Sequence, residues 1–95
     1  MKHVTMIEME GCPYCAKAHR AIGELVQKDP RYGALTLQYV DENRDTDEVQ
    51  PFAGKYYYVP SLFIDGEKGY EAKPGQDYEE IYAAVKQVFD QAIGK

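Results

Sequence analysis

Cys12 and Cys15 are the two cysteines of a 95-residue chain, and both lie in the stretch MEGCPYCAKAHR, residues 9 to 20. A pair spaced this way supports three chemistries: a local staple, half of a metal site, or a reversible redox couple. The staple contributes least. Chain entropy gives so short a loop about 2 kcal/mol, against roughly 4.7 for a long one, and a helix would already order the residues it spans. The metal reading gains from His19, because Cys12, Cys15 and His19 share one helix face as C-x2-C-x3-H. Structural zinc needs a fourth ligand, and beyond this set the chain offers only His3 and carboxylates. A redox couple needs nothing more than the two sulfurs. Dithiol exchange is therefore the favoured reading, and a metal-binding module built on Cys12, Cys15 and His19 is the alternative.

Reactivity depends on the element that carries the pair. Residues 3 to 9, HVTMIEM, are β-branched and apolar and fit a strand that Gly11 ends. A helix then opens at Cys12, with Pro13 in the first helical position, where a missing N–H costs nothing. A sulfur at this N-cap faces the free N–H groups of Tyr14 and Cys15 and the positive end of the helix dipole, both of which favour a thiolate. A free thiol of pKa about 8.5 is only ~3% ionised at pH 7, so the position bears directly on nucleophilicity. Cys15 lies one turn further on, within reach of Cys12. Cys12 is expected to attack a disulfide and Cys15 to resolve the mixed disulfide. Tyr14 is expected to project outward, toward a docking partner.

The remaining elements must hold this helix end in place. Ala18, Ala21, Ile22, Leu25 and Val26 give the first helix one apolar face. DPRYG at 29 to 33 reads as a turn, and residues 35 to 41 as a second strand, parallel to the first through a right-handed crossover. Acidic residues near Asp45 and Asp47 suit a short helix, kinked or restarted at Pro51. Residues 58 to 65 read as a third strand, DGEKG at 65 to 69 as a turn, and residues 70 to 73 as a fourth, antiparallel strand. In YYY at 56 to 58, strand alternation would send Tyr56 and Tyr58 one way and Tyr57 the other, with Tyr58 bordering a substrate groove. Asp77 and Glu80 match a capping box. Behind them Tyr78, Ile81, Tyr82, Val85, Val88, Phe89 and Ala92 share one helical face. The order is β-α-β-α-β-β-α, an α/β fold with a mixed four-stranded sheet and helices on both faces.

Length argues for one domain over residues 1–95. A net charge of −5 disfavours nucleic acid as a partner, and no apolar run approaches a membrane span. The N-terminal stretch reaches Glu8 too early for a signal peptide, so the cytoplasm is the expected compartment, and a monomer is expected. No metal or organic cofactor is expected either.

CPYC at 12 to 15, taken with YVPSLFIDG at 58 to 66 and KPGQDYEEI at 73 to 81, resembles the glutaredoxins and small thioredoxin-like proteins of the thioredoxin superfamily. The resemblance implies a thioredoxin-like fold and a thiol–disulfide oxidoreductase. Within it Cys12 attacks and Cys15 resolves, Pro60 is a cis-proline, and the Val59 backbone pairs with an extended substrate or with glutathione. The implied partners are disulfide-containing proteins and an electron donor: glutathione, another thiol, or a reductase flavoprotein. The chain also departs from glutaredoxins. Glu8 and Glu10 stand where a basic residue is common, Tyr58 where Thr is, and PGQD has one glycine, with Asp77 close behind. The chain has no tryptophan. These changes weaken a glutathione site built on charge, although Lys17 and Arg20 could offset Glu10 and Lys55 or Lys73 could meet a glutathione carboxylate. A non-catalytic interaction domain on the same fold is a further alternative.

Overall fold

The computed structural model describes residues 3–94. The domain expected over residues 1–95 thus extends, at Met1, Lys2 and Lys95, outside the described residues. Strand β1, His3–Glu8, carries Val4 and Met6 to one face and Thr5 and Ile7 to the other, all buried. Helix α1, Pro13–Lys28, returns the chain past a 3-10 turn at Tyr32–Ala34 into β2, Thr36–Asp41. β2 runs parallel to β1, with His3 opposite Thr36 and Glu8 opposite Asp41. A short helix, α2, Thr46–Val49, gives way to a 3-10 turn at Gln50–Phe52. Pro51, which has no N–H to donate, sits in that turn, and this is the expected break.

Strand β3, Ser61–Ile64, pairs antiparallel with β1 and with β4, Glu67–Glu71, giving the sheet order β2-β1-β3-β4. The fourth strand thus starts before the expected residues 70 to 73, and the turn is shorter than DGEKG. Asp65 and Gly66 make it alone, with φ of 49° and 88°, the left-handed conformation that suits Asp-Gly in a two-residue hairpin. The third strand likewise starts at Ser61 rather than residue 58. Gly69 lies where β4 meets the last helix, and a Cβ there would stand 3.2 Å from the Val88 side chain.

Helix α3, Tyr78–Gly94, opens on a reciprocal box. The Glu80 N–H donates to Asp77 Oδ1 at 2.9 Å, and the Asp77 N–H donates to Glu80 Oε1 at 3.0 Å. Ile81, Val85, Val88 and Phe89 join Ala18, Ala21, Ile22 and Leu25 of α1 over one face of the sheet. On the opposite face Ile7, Val40 and Phe63 lie under Val49, Phe52, Tyr56 and Val59. With α1 and α3 on one face and the α2 segment on the other, the first turn of α1 emerges at the end of the central strand.

Candidate redox site

Cys12 is the N-cap of α1, extended at φ −81° and ψ 118°. Of the two amides expected near its sulfur, the Cys15 N–H donates to it, at 3.2 Å. The Cys12 Sγ also lies 3.8 Å from the Val59 carbonyl oxygen, to which the thiol donates. The Val59–Pro60 peptide bond is cis. Pro60 is buried, and its carbonyl accepts from the Ala72 N–H at 3.0 Å, which ties the loop to the end of β4. The structure therefore gathers Cys12, Cys15, Val59 and Pro60 at one place. Cys12 retains 9% exposure and Cys15 3%, and both are free thiols. Burial pushes the Cys15 thiol pKa well above that of a free cysteine, and its contact with Cys12 raises it further.

Both sulfurs line a groove of about 520 Å³ whose other wall carries Glu8, Glu10, His19 and Arg44. His19 does not join the cysteines in a metal site. Its Nε2 lies 2.6 Å from Glu8 Oε1, and its ring rests on Tyr39 with centroids 4.7 Å apart. The parallel pairing of β1 with β2 supplies both partners and turns the imidazole toward the sheet. Among the described residues no three His, Cys, Asp or Glu side chains converge on a metal position.

Tyr14 does not project freely outward. Its hydroxyl accepts the Gly75 N–H at 2.7 Å, and its half-buried ring rests against the main core. It ties α1 to the loop before α3. The tyrosines at 56 to 58 do not alternate, because they precede the strand. Tyr56 is half-buried and donates to Glu42 at 2.6 Å. Tyr57 and Tyr58 are both exposed, at 84% and 46%, with ring centroids 5.1 Å apart in an edge arrangement.

Among the described residues the cation that approaches Glu10 is Arg44, at 3.9 Å, and the same guanidinium lies 3.6 Å from Asp41. Arg20 is taken by Glu24 at 3.2 Å and by the Tyr78 ring, and Lys17 stands 5.7 Å from the Tyr14 ring centroid. Arg44, rather than Lys17 or Arg20, thus stands against Glu10. Asp41 accepts the Asn43 and Arg44 amides at 2.9 and 3.1 Å, and the Asn43 bond above all holds its carboxyl below the usual carboxylate range. Asp41 and Arg44 were missed as site residues. The signal for them was the parallel register, which brings the end of β2 beside the end of β1. Lys55 and Lys73 are exposed on the surface.

This architecture is the thioredoxin fold. The oxidised thioredoxin of Plasmodium falciparum superposes with a TM-score of 0.63 at 14% identity, covering 95% of this chain and 79% of that one. Trxlp from Edwardsiella tarda EIB202 gives 0.60 at 14% identity, over 88% of this chain and 81% of that one. The Malassezia sympodialis thioredoxin gives 0.59 at 18%, over 93% and 75%. No protein-family model matches the sequence, and no curated protein matches it.

Proposed function

We propose that the protein is a glutaredoxin-like thiol–disulfide oxidoreductase that reduces protein or low-molecular-weight disulfides through Cys12 and Cys15. The observation that carries this reading is the placement of one sulfur. Cys12 Sγ caps α1, accepts the Cys15 N–H at 3.2 Å and lies 3.8 Å from the Val59 carbonyl. Cys12 gives up its thiol proton to solvent and attacks a substrate disulfide. The Cys12–substrate bond forms as the substrate S–S bond breaks, and the departing sulfur takes a proton from solvent. Cys15 then gives up its proton and attacks Cys12 Sγ. The Cys12–Cys15 bond forms, the second substrate sulfur leaves as a thiolate, and two electrons have passed to the substrate. A raised pKa keeps the buried Cys15 a thiol at rest, so Cys12, the more exposed sulfur, acts first. Val59 and Pro60 border the substrate, with Tyr58 on its flank.

The donor that reopens the disulfide is glutathione, another low-molecular-weight thiol, or a reductase flavoprotein. We assign the protein to the cytoplasm as a monomer that needs neither metal nor organic cofactor, nor a nucleic acid or membrane partner. The test is reduction of hydroxyethyl disulfide with glutathione and its reductase, compared with a thioredoxin reductase system. Turnover with either donor, abolished by Cys12→Ser, supports the reading. A Cys15→Ser variant keeps reducing glutathione mixed disulfides if glutathione is the donor, and stalls as a mixed disulfide if a reductase is. No turnover with any donor favours the non-catalytic interaction domain.

A further inference from the structure

The loop beside Cys12 is held by a residue that touches neither sulfur. Glu71, the last residue of β4, sets its Oε2 2.7 Å from the Tyr57 amide nitrogen and 2.7 Å from that of Tyr58. Its Oε1 accepts from Lys68 Nζ at 2.7 Å. Ser61, opposite Glu71 in the β3–β4 register, donates from Oγ to the Tyr58 carbonyl at 2.6 Å. The backbone of Tyr57 and Tyr58 is thus bound inward while both rings stand out into solvent, next to the Val59 carbonyl that faces Cys12. The Glu71 side chain is only 19% exposed. It lies half-buried under the loop, and hydrogen bonds to a charged acceptor are the stronger kind.

We propose that Glu71 is a positioning residue for polypeptide disulfides. Its carboxylate fixes the Tyr57–Val59 backbone so that an extended substrate segment lies across Cys12, with the Tyr57 and Tyr58 rings as its flanking wall. The proposal rests on the oxidoreductase reading and adds to it the distinction between large and small substrates. A small disulfide needs to reach only Cys12. A polypeptide must also align its backbone with the loop, and a loop free to move makes that alignment costly in entropy.

Steady-state kinetics of wild type, Glu71→Ala and Glu71→Gln on insulin and on hydroxyethyl disulfide test this. Loss of charge-assisted bonds at the loop raises KM for insulin about tenfold in Glu71→Ala, with kcat within about twofold. On the same scale kcat/KM for hydroxyethyl disulfide falls less than about threefold. Glu71→Gln keeps an oxygen for the amides and raises the insulin KM by only about threefold. Hydrogen exchange at the Tyr57 and Tyr58 amides quickens in Glu71→Ala, and less so in Glu71→Gln. An insulin KM equal to that of wild type, or equal losses on the two disulfides, overturns the proposal. Should Glu71→Ala not fold, the same two results in Glu71→Gln overturn it. Wild type active on both disulfides with unaltered variants sinks this proposal alone. Wild type inactive on both sinks the oxidoreductase reading and the proposal with it.

Discussion

The two walls that flank Cys12 are built on different principles. On the β2 side the wall is made of side chains: Glu8 against His19 at 2.6 Å, and Arg44 between Glu10 and Asp41 at 3.9 and 3.6 Å. On the β3 side it is made of backbone: the Val59 carbonyl, the cis Val59–Pro60 bond, and two amides held by Glu71. Ion pairs with one well-exposed partner, as His19 and Arg44 are here, contribute little to stability and are screened by salt. Backbone tied by several hydrogen bonds and by the buried Pro60 holds a fixed geometry. Under the proposed function the first wall tunes charge around the sulfurs, whereas the second sets where a substrate lies.

Substitutions that strike the two walls should separate these roles. The largest effect is expected from Phe63→Ala. Phe63 is fully buried, its ring meets Phe52 at 4.7 Å between centroids, and its cluster lies beneath Tyr56 and Val59. The cavity costs about 3–5 kcal/mol, read by denaturant unfolding, and turnover of polypeptide disulfides falls with it. Acid comes next and strikes both walls. Hydrogen bonds hold the Asp41 and Glu71 carboxyls below the usual carboxylate range, Asp41 chiefly through the Asn43 amide and Glu71 chiefly through Lys68. A lowered folded-state pKa gives stability that is present above the unfolded-state value and lost as pH falls through the folded one. Denaturant midpoints should hold from neutrality down to the ordinary carboxylate range and decline below it, and Glu71→Gln should flatten part of that decline.

Tyr14→Phe removes the hydroxyl that accepts the Gly75 N–H at 2.7 Å. It should cost about 0.5–1.5 kcal/mol and speed amide exchange at Gly75. The smallest effect belongs to the charged wall. Glu8→Gln should move the thermal midpoint by no more than about 4 °C. A larger shift would show that the two walls are not divided as described.

What could be read in the sequence was local. Pro13 behind an N-cap Cys12, the Asp77–Glu80 box and the apolar face from Ile81 to Ala92 each depend on residues within a turn or two of one another. The Asp65–Gly66 turn was equally local, yet flanking charged residues blurred the start of β4. What escaped was long-range. His19 meets Glu8, Tyr14 meets Gly75, and Glu71 meets Tyr57 and Tyr58 only because the strand order β2-β1-β3-β4 brings those segments together. No spacing along the chain encodes such pairs. The Cys12–Pro60 neighbourhood is long-range too, and it was legible only through the likeness of CPYC and VPSLFIDG to a known family.

The most direct measurement is mass analysis of the adduct trapped when a peptide disulfide meets each single-cysteine variant. Cys15→Ser should accumulate a peptide disulfide on Cys12, and Cys12→Ser should form none at a comparable rate, because Cys15 is buried and its thiol pKa is raised. An adduct that forms as fast on Cys15 as on Cys12, or on neither, would contradict the account.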